Sequence, residues 1–138
     1  SKLVNDPSPQ VRRECAIALR HEPSALGAQL WAELASQHDG DDRWYLEALG
    51  IGAQGQEDRY FSAWLAKVGD DWNSKAGRDL IWRSRSSKAP ALLVKILSDE
   101  SVPEAEKARY FRALDFIDGP EKDEALVELL TGDLGDLK

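Results

Sequence analysis

The sequence predicts an all-α fold, an α-α superhelix of four to five stacked helical hairpins. Three observations predict it. Apolar residues recur at helical spacing along nearly the whole chain, and strand-like alternation is hard to find. Turn-forming clusters interrupt the chain at short, regular intervals: 6–9, 22–24, 38–41, 54–56, 69–71, 84–87, 99–103 and 118–120. Apolar markers also repeat: Leu34, Leu65, Leu97 and Leu130 are spaced 31, 32 and 33 residues apart. A second set, Ala18-Leu19, Ala48-Leu49 and Ala113-Leu114, interleaves with the first, with room for a divergent member near 82–85. Two helix families at one period are the mark of stacked hairpins, because one hairpin cannot bury its apolar face alone.

Each element has a physical start signal. Ser8 is the expected N-cap of a first helix, with Pro9 in its first turn. Ser24 is a cap before Ala25 and Leu26. Pro103 is expected in the first turn of a later helix, after Ser101 and Val102, where Glu104 and Glu106 suit the positive end of its dipole. Gly119 stops one helix and Pro120 starts the last. Gly50-Ile51-Gly52-Ala53 has no strand before it and reads as a helix end, not a dinucleotide fingerprint.

Composition narrows the function classes. With 42% hydrophobic and 31% charged residues in 138 positions, the chain is a single globular domain spanning 1–138. It opens on Ser1, which reads as an excised piece of a longer protein or a cleaved tag. A net charge of -7 argues against nucleic acid and against an anionic membrane surface. No apolar run approaches the ~20 residues of a membrane span, so no membrane insertion is expected. Cys15 is the single cysteine, so neither an internal disulfide nor a cysteine-based zinc cage can form. It falls in a stripe with Val11, Ala18 and Leu19 and is expected in the core as a small apolar residue.

The candidate sites are few. Arg78, Trp82, Arg83, Arg85 and Lys88 form a basic cluster in an acidic chain. Arginines beside a tryptophan can grip a carboxylate or phosphate through two parallel hydrogen bonds. They can equally bond helix C-terminal carbonyls and acids of adjacent repeats. Stacking would bring Arg83 and Arg85 beside Glu47 and Arg112. Five tryptophans are many for this length: Trp31 and Trp64 read as core, Trp72 as a loop pin. Trp44 and Trp82 lie on the other helix family, where packing is expected; if exposed they become anchors for a partner. The candidate partner-binding face is thus Arg43, Trp44, Glu47, Trp82, Arg83, Arg85 and Arg112. His21 and His38 are each read as ending a helix, where a cation suits the dipole. Asp39, Asp41 and Asp42 read as capping residues, since no Glu falls at the twelfth position of a calcium loop. No catalytic residue, metal ligand or cofactor site is expected.

The run 6–19, Asp-Pro-Ser-Pro-Gln-Val-Arg-Arg-Glu-Cys-Ala-Ile-Ala-Leu, resembles the HEAT repeat signature. That family has a turn with Asp and Pro, then Val-Arg, then small and apolar residues ending in Ala-Leu. Its Asp and Arg form a ladder between repeats. Asp6 and Arg12 match those positions, Asp41 and Arg43 match more loosely, and later repeats depart from the pattern. The segments 42–53, 61–65, 81–86 and 109–116 further resemble the middle part of multi-domain, dehydrogenase-like, haem-binding proteins of the planctomycete group. The resemblance implies an armadillo-like scaffold between a membrane-associated dehydrogenase-like part and a C-x-x-C-H cytochrome-like part, in an extracytoplasmic setting. It implies protein partners, either flanking domains or an external protein. Separately, because stacked repeats need capped ends, self-association through the solenoid ends is expected. The resemblance implies no activity and no cofactor for this segment, which lacks the haem motif. Two rival functions attach to HEAT-like folds: a DNA glycosylase or other nucleic-acid binder, and a lyase or chaperone acting on a partner protein.

Overall fold

The computed structural model describes residues 3–136, and Ser1, on which the reading of an excised piece rests, lies outside them. Among the described residues there are eight α-helices and no strand: α1 (Pro9–Ala18), α2 (Ala25–Ala35), α3 (Arg43–Gly52), α4 (Glu57–Val68), α5 (Lys75–Arg83), α6 (Ala89–Leu97), α7 (Glu104–Ala113) and α8 (Pro120–Asp136). Short 3-10 turns follow α1, α4 and α7, and another precedes α1. The turn-forming clusters read from the sequence fall before or between the α-helices, except that Pro9 and Pro120 are the first residues of α1 and α8.

Side-chain caps place several helix starts. Ser8, Ser24 and Ser74 each accept a hydrogen bond from the backbone N–H three residues on, at 3.4, 3.2 and 2.9 Å. Asp42 does the same for Tyr45 at 3.0 Å. Each cap satisfies one of the orphan donors of the first turn. Pro103 behaves otherwise than expected. It is itself the N-cap, with ψ 139°, and α7 begins at Glu104. The Ser101 hydroxyl instead donates to Asp99 Oδ1 at 2.6 Å, holding the loop rather than the helix.

The chain forms two compact units, Ser1–Ser84 and Arg85–Lys138. In the first, α1 packs on α3 and α3 on α5, while α2 packs on α4. In the second, α6 packs against both α7 and α8. These contacts between neighbouring and next-but-one helices fit helical hairpins packed in pairs.

The first unit's core joins Trp31, Leu34, Tyr45, Leu49, Tyr60, Phe61 and Trp64, all buried. Trp31 lies 5.8 Å from Tyr60 and Phe61 lies 5.5 Å from Trp64, between ring centroids. Two of the polar edges are spent on backbone carbonyls: Trp31 Nε1 donates to Leu49 at 3.0 Å and the Tyr45 hydroxyl to Leu34 at 2.6 Å. Burying these rings is favourable only because their donors are satisfied. Two helices also approach unusually closely. A Cβ on Gly52 would stand 2.1 Å from the Ala16 carbonyl oxygen, so only glycine lets α3 meet α1 there.

Two apolar expectations need correction. Cys15 is half-buried and Ala18 exposed, while Ala16 and Leu19 turn inward. The inward face of α1 is therefore rotated by about one residue from the expected stripe. Of the leucine markers, Leu34 is buried and Leu65 and Leu97 half-buried, but Leu130 is 64% exposed. The markers find the right helices without finding one common depth.

Candidate functional site

Arg43, Trp44 and Glu47 lie on α3, and Trp82 and Arg83 at the end of α5. The α3–α5 contact brings Glu47 and Arg83 together: Arg83 Nε donates to Glu47 Oε1 at 3.2 Å. The sequence expectation of that neighbourhood holds for this pair. Gly50 leaves room for the guanidinium, since a Cβ there would stand 2.4 Å from the guanidinium carbon, the movable end of Arg83. The pair is partly screened by solvent, so it contributes no more than ~1 kcal/mol. Its role is to fix the guanidinium beside α3.

Trp44 is the outstanding feature of this surface. It is 73% exposed, whereas its neighbour Tyr45 is buried. Trp82 is half-buried, and Arg43 is exposed beside Trp44. The packing expected for Trp44 is thus not found. Residues 45, 46, 48 and 49 already fill the inward face of α3, and 44 falls on the opposite side. Trp31 and Trp64 are core as expected, and Trp72 is half-buried in the turn after α4.

Arg85 and Arg112 belong to the second unit. The Arg85 guanidinium stacks over Phe116, 4.7 Å from the ring centroid. Arg112 is exposed at the end of α7, next to Phe111 at 52% exposure, and Phe116 is 65% exposed. These aromatics were not singled out in the sequence. Their helical spacing resembles that of core residues, so nothing local marked them as exposed.

The sequence also missed a buried polar centre. His38 is not an exposed cation at a helix end. Its Nε2 lies 3.1 Å from Asp79 Oδ2, both side chains are buried, and the ring stacks parallel to Tyr45 at 6.1 Å. Lys75 Nζ approaches the same carboxylate oxygen at 3.6 Å and donates to the Gly40 carbonyl. With a carboxylate as acceptor, Nε2 carries the proton, while buried Nδ1 has no hydrogen-bond partner. The cluster ties α5 to the α2–α3 loop, a structural pin beneath Tyr45. Arg12 lies 5.5 Å over the other ring of this stack, that of Tyr45, and donates to the Asp6 carbonyl at 3.0 Å. Asp6 itself accepts from the Ser8 N–H at 2.9 Å. Asp6 and Arg12 therefore brace one turn, and Arg12 also reaches α3.

Burial first, then the Asp6 and Glu14 carboxylates, pushes the Cys15 thiol up, away from the thiolate a nucleophile needs. Asp39 is held below the usual carboxylate range by the N–H groups of Asp41 and Asp42. Among the described residues no group of three His, Cys, Asp or Glu side chains could hold a metal ion. Nor is any described helix long and apolar enough to cross a membrane. No protein-family model matches the chain, and neither the curated proteins nor the solved structures yield a match.

Proposed function

We propose that this domain is a non-catalytic, HEAT-like protein-interaction scaffold. One observation carries the reading: a tryptophan exposed at 73% on a helix whose inward face is already filled. A side chain of that size left in water is costly unless a partner covers it, and tryptophan is among the commonest anchors of protein interfaces. The fixed Arg83–Glu47 pair and exposed Arg43 supply a polar surround of the kind that rims such anchors. The stacking of α1, α3 and α5 supports a helical-repeat solenoid, and the Asp6–Arg12 turn supports the HEAT type. The scaffold would orient neighbouring parts of a larger dehydrogenase- and cytochrome-like protein.

The test is binding of this chain to the flanking segments of its parent, with Trp44→Ala and Arg83→Ala alongside. Trp44→Ala is expected to weaken binding by roughly thirtyfold, the loss of a ~2 kcal/mol anchor, without lowering the melting temperature. Arg83→Ala is expected to weaken it less. Unchanged affinity in Trp44→Ala, or no binding to either flank, would sink the reading.

A further inference from the structure

Helix α8 turns one side to α6 within the second unit. Ala125 is buried and Lys122, Leu126 and Leu129 are half-buried, which defines that side. On the opposite side Val127 and Leu130 are exposed at 61% and 64%. Three residues apart on a helix, they are surface neighbours and form a short apolar stripe.

Charge on this helix is sorted in the same way. Glu121, Asp123, Glu124 and Glu128 are all exposed. Asp123 lies one turn before Val127 in the same row, and Glu124 and Glu128 run along the edge of the stripe. Lys122 is the one base between 120 and 132, and it falls with Ala125 and Leu129 on the side turned to α6. The outer side is thus an apolar stripe edged with acid, and residues 120–132 bring no cation to it.

We propose that the outer side of α8 docks a basic amphipathic helix of a protein partner. The partner's apolar ridge lies along Val127 and Leu130, and its lysines or arginines meet Asp123, Glu124 and Glu128. Charge complementarity selects this occupant. The same carboxylates repel nucleic acid and an anionic lipid surface. A second copy offering its own α8 would set acid against acid. Apolar anchors at three- and four-residue spacing are what one helix needs to seat another. The proposal uses α8 alone and does not depend on Trp44 binding anything.

The experiment titrates the intact chain with two synthetic amphipathic helices that share a leucine stripe, one edged with lysine and the other with glutamate. The lysine peptide is expected to bind and the glutamate peptide is not. Glu124→Lys with Glu128→Lys is expected to weaken the lysine peptide by about tenfold and to admit the glutamate peptide. Val127→Ala with Leu130→Ala is expected to weaken the lysine peptide by about the same factor at unchanged net charge. Asp70→Lys with Asp71→Lys makes the same change of net charge on exposed residues of the turn after α4. It is expected to leave the affinity within about twofold, because solvent screens distant charges. Every substituted position is exposed, and unchanged melting curves confirm that the variants fold. No binding of the lysine peptide overturns the proposal. So does an affinity indifferent to Val127 and Leu130. Equal losses in the Asp70/Asp71 and Glu124/Glu128 variants also overturn it, since they mark a general attraction to a chain of net charge -7.

Discussion

Arg-Tyr-Phe occurs once in each unit, as residues 59–61 on α4 and 109–111 on α7, and the two copies meet different fates. The tyrosine is buried in both, and the arginine lies over its ring at 5.3 and 5.7 Å. The phenylalanine diverges: Phe61 is 2% exposed and Phe111 is 52% exposed. The cause lies outside the tripeptide. Phe61 meets Trp64, one turn on, and the inward face of α4 spans 60, 61 and 64. On α7 that face holds only Tyr110 and Ala113. A three-residue word thus fixes the tyrosine and its arginine, while neighbouring helices decide how wide a face is buried.

The comparison breaks most visibly at the phenylalanines. Phe61→Ala is expected to cost about 3–5 kcal/mol, the transfer term of a buried ring plus its cavity. Phe111→Ala should stay within about 0.5 kcal/mol, as for an exposed site. Denaturant unfolding at low protein concentration measures both. Equal losses would mean that Phe111 is covered in solution.

Legibility in the sequence followed the same division between local and distant causes. Helix starts at Ser8, Ser24 and Pro120 were readable because a cap or an early proline is a local device. The aromatic cores at Trp31 and Trp64 were readable from periodicity. The His38–Asp79 pair was not, because 41 residues separate its members and only the α2–α3 loop meeting α5 joins them. Trp44 shows the limit of composition, since a large apolar residue is expected inside. Arg83 beside Glu47 was expected from repeat stacking, while its seat on Gly50 needed the backbone.

A smaller effect sharpens the tyrosine half of the comparison. The Tyr60 hydroxyl donates towards the Leu19 and Glu22 carbonyls, each at 2.8 Å, and so holds the α1–α2 loop to α4. Tyr60→Phe is expected to cost about 1 kcal/mol, the loss of that hydrogen bond alone, because the Leu19 carbonyl keeps the Glu22 N–H and the Glu22 carbonyl keeps Arg59 Nη2 as donors. Burial pushes the Tyr60 phenol up, against the opposing pull of Arg59. A raised folded pKa means that the stability is fully present below the unfolded value, about 10. It is lost as pH rises through the folded value. The advantage of the native protein over Tyr60→Phe should therefore shrink in strong alkali. Tyr45 titrates in both proteins and cancels in the difference. An advantage that persists undiminished there would show that the phenol is not held in its neutral form by the fold.

The smallest effect concerns loops that the two units share in kind. Asp39 Oδ1 accepts from the N–H groups of Asp41 and Asp42 at 2.8 and 3.0 Å, and Asp99 Oδ1 accepts from Ser101 N–H at 2.9 Å. Both are side-chain turns that lead into a helix, α3 in one unit and α7 in the other. The hydrogen bonds hold Asp39 below its ordinary range, so its contribution is present above the unfolded pKa of about 3.9 and lost as pH falls through the folded value. Solvent screens this exposed carboxylate, and Asp39→Ala should lower the melting temperature by no more than a few degrees at neutral pH. The gap should close on acidification below pH ~4 as the native side chain also loses its charge. A gap that stays constant into that acid range would mean that turn geometry, rather than the carboxylate's charge, holds the α2–α3 loop.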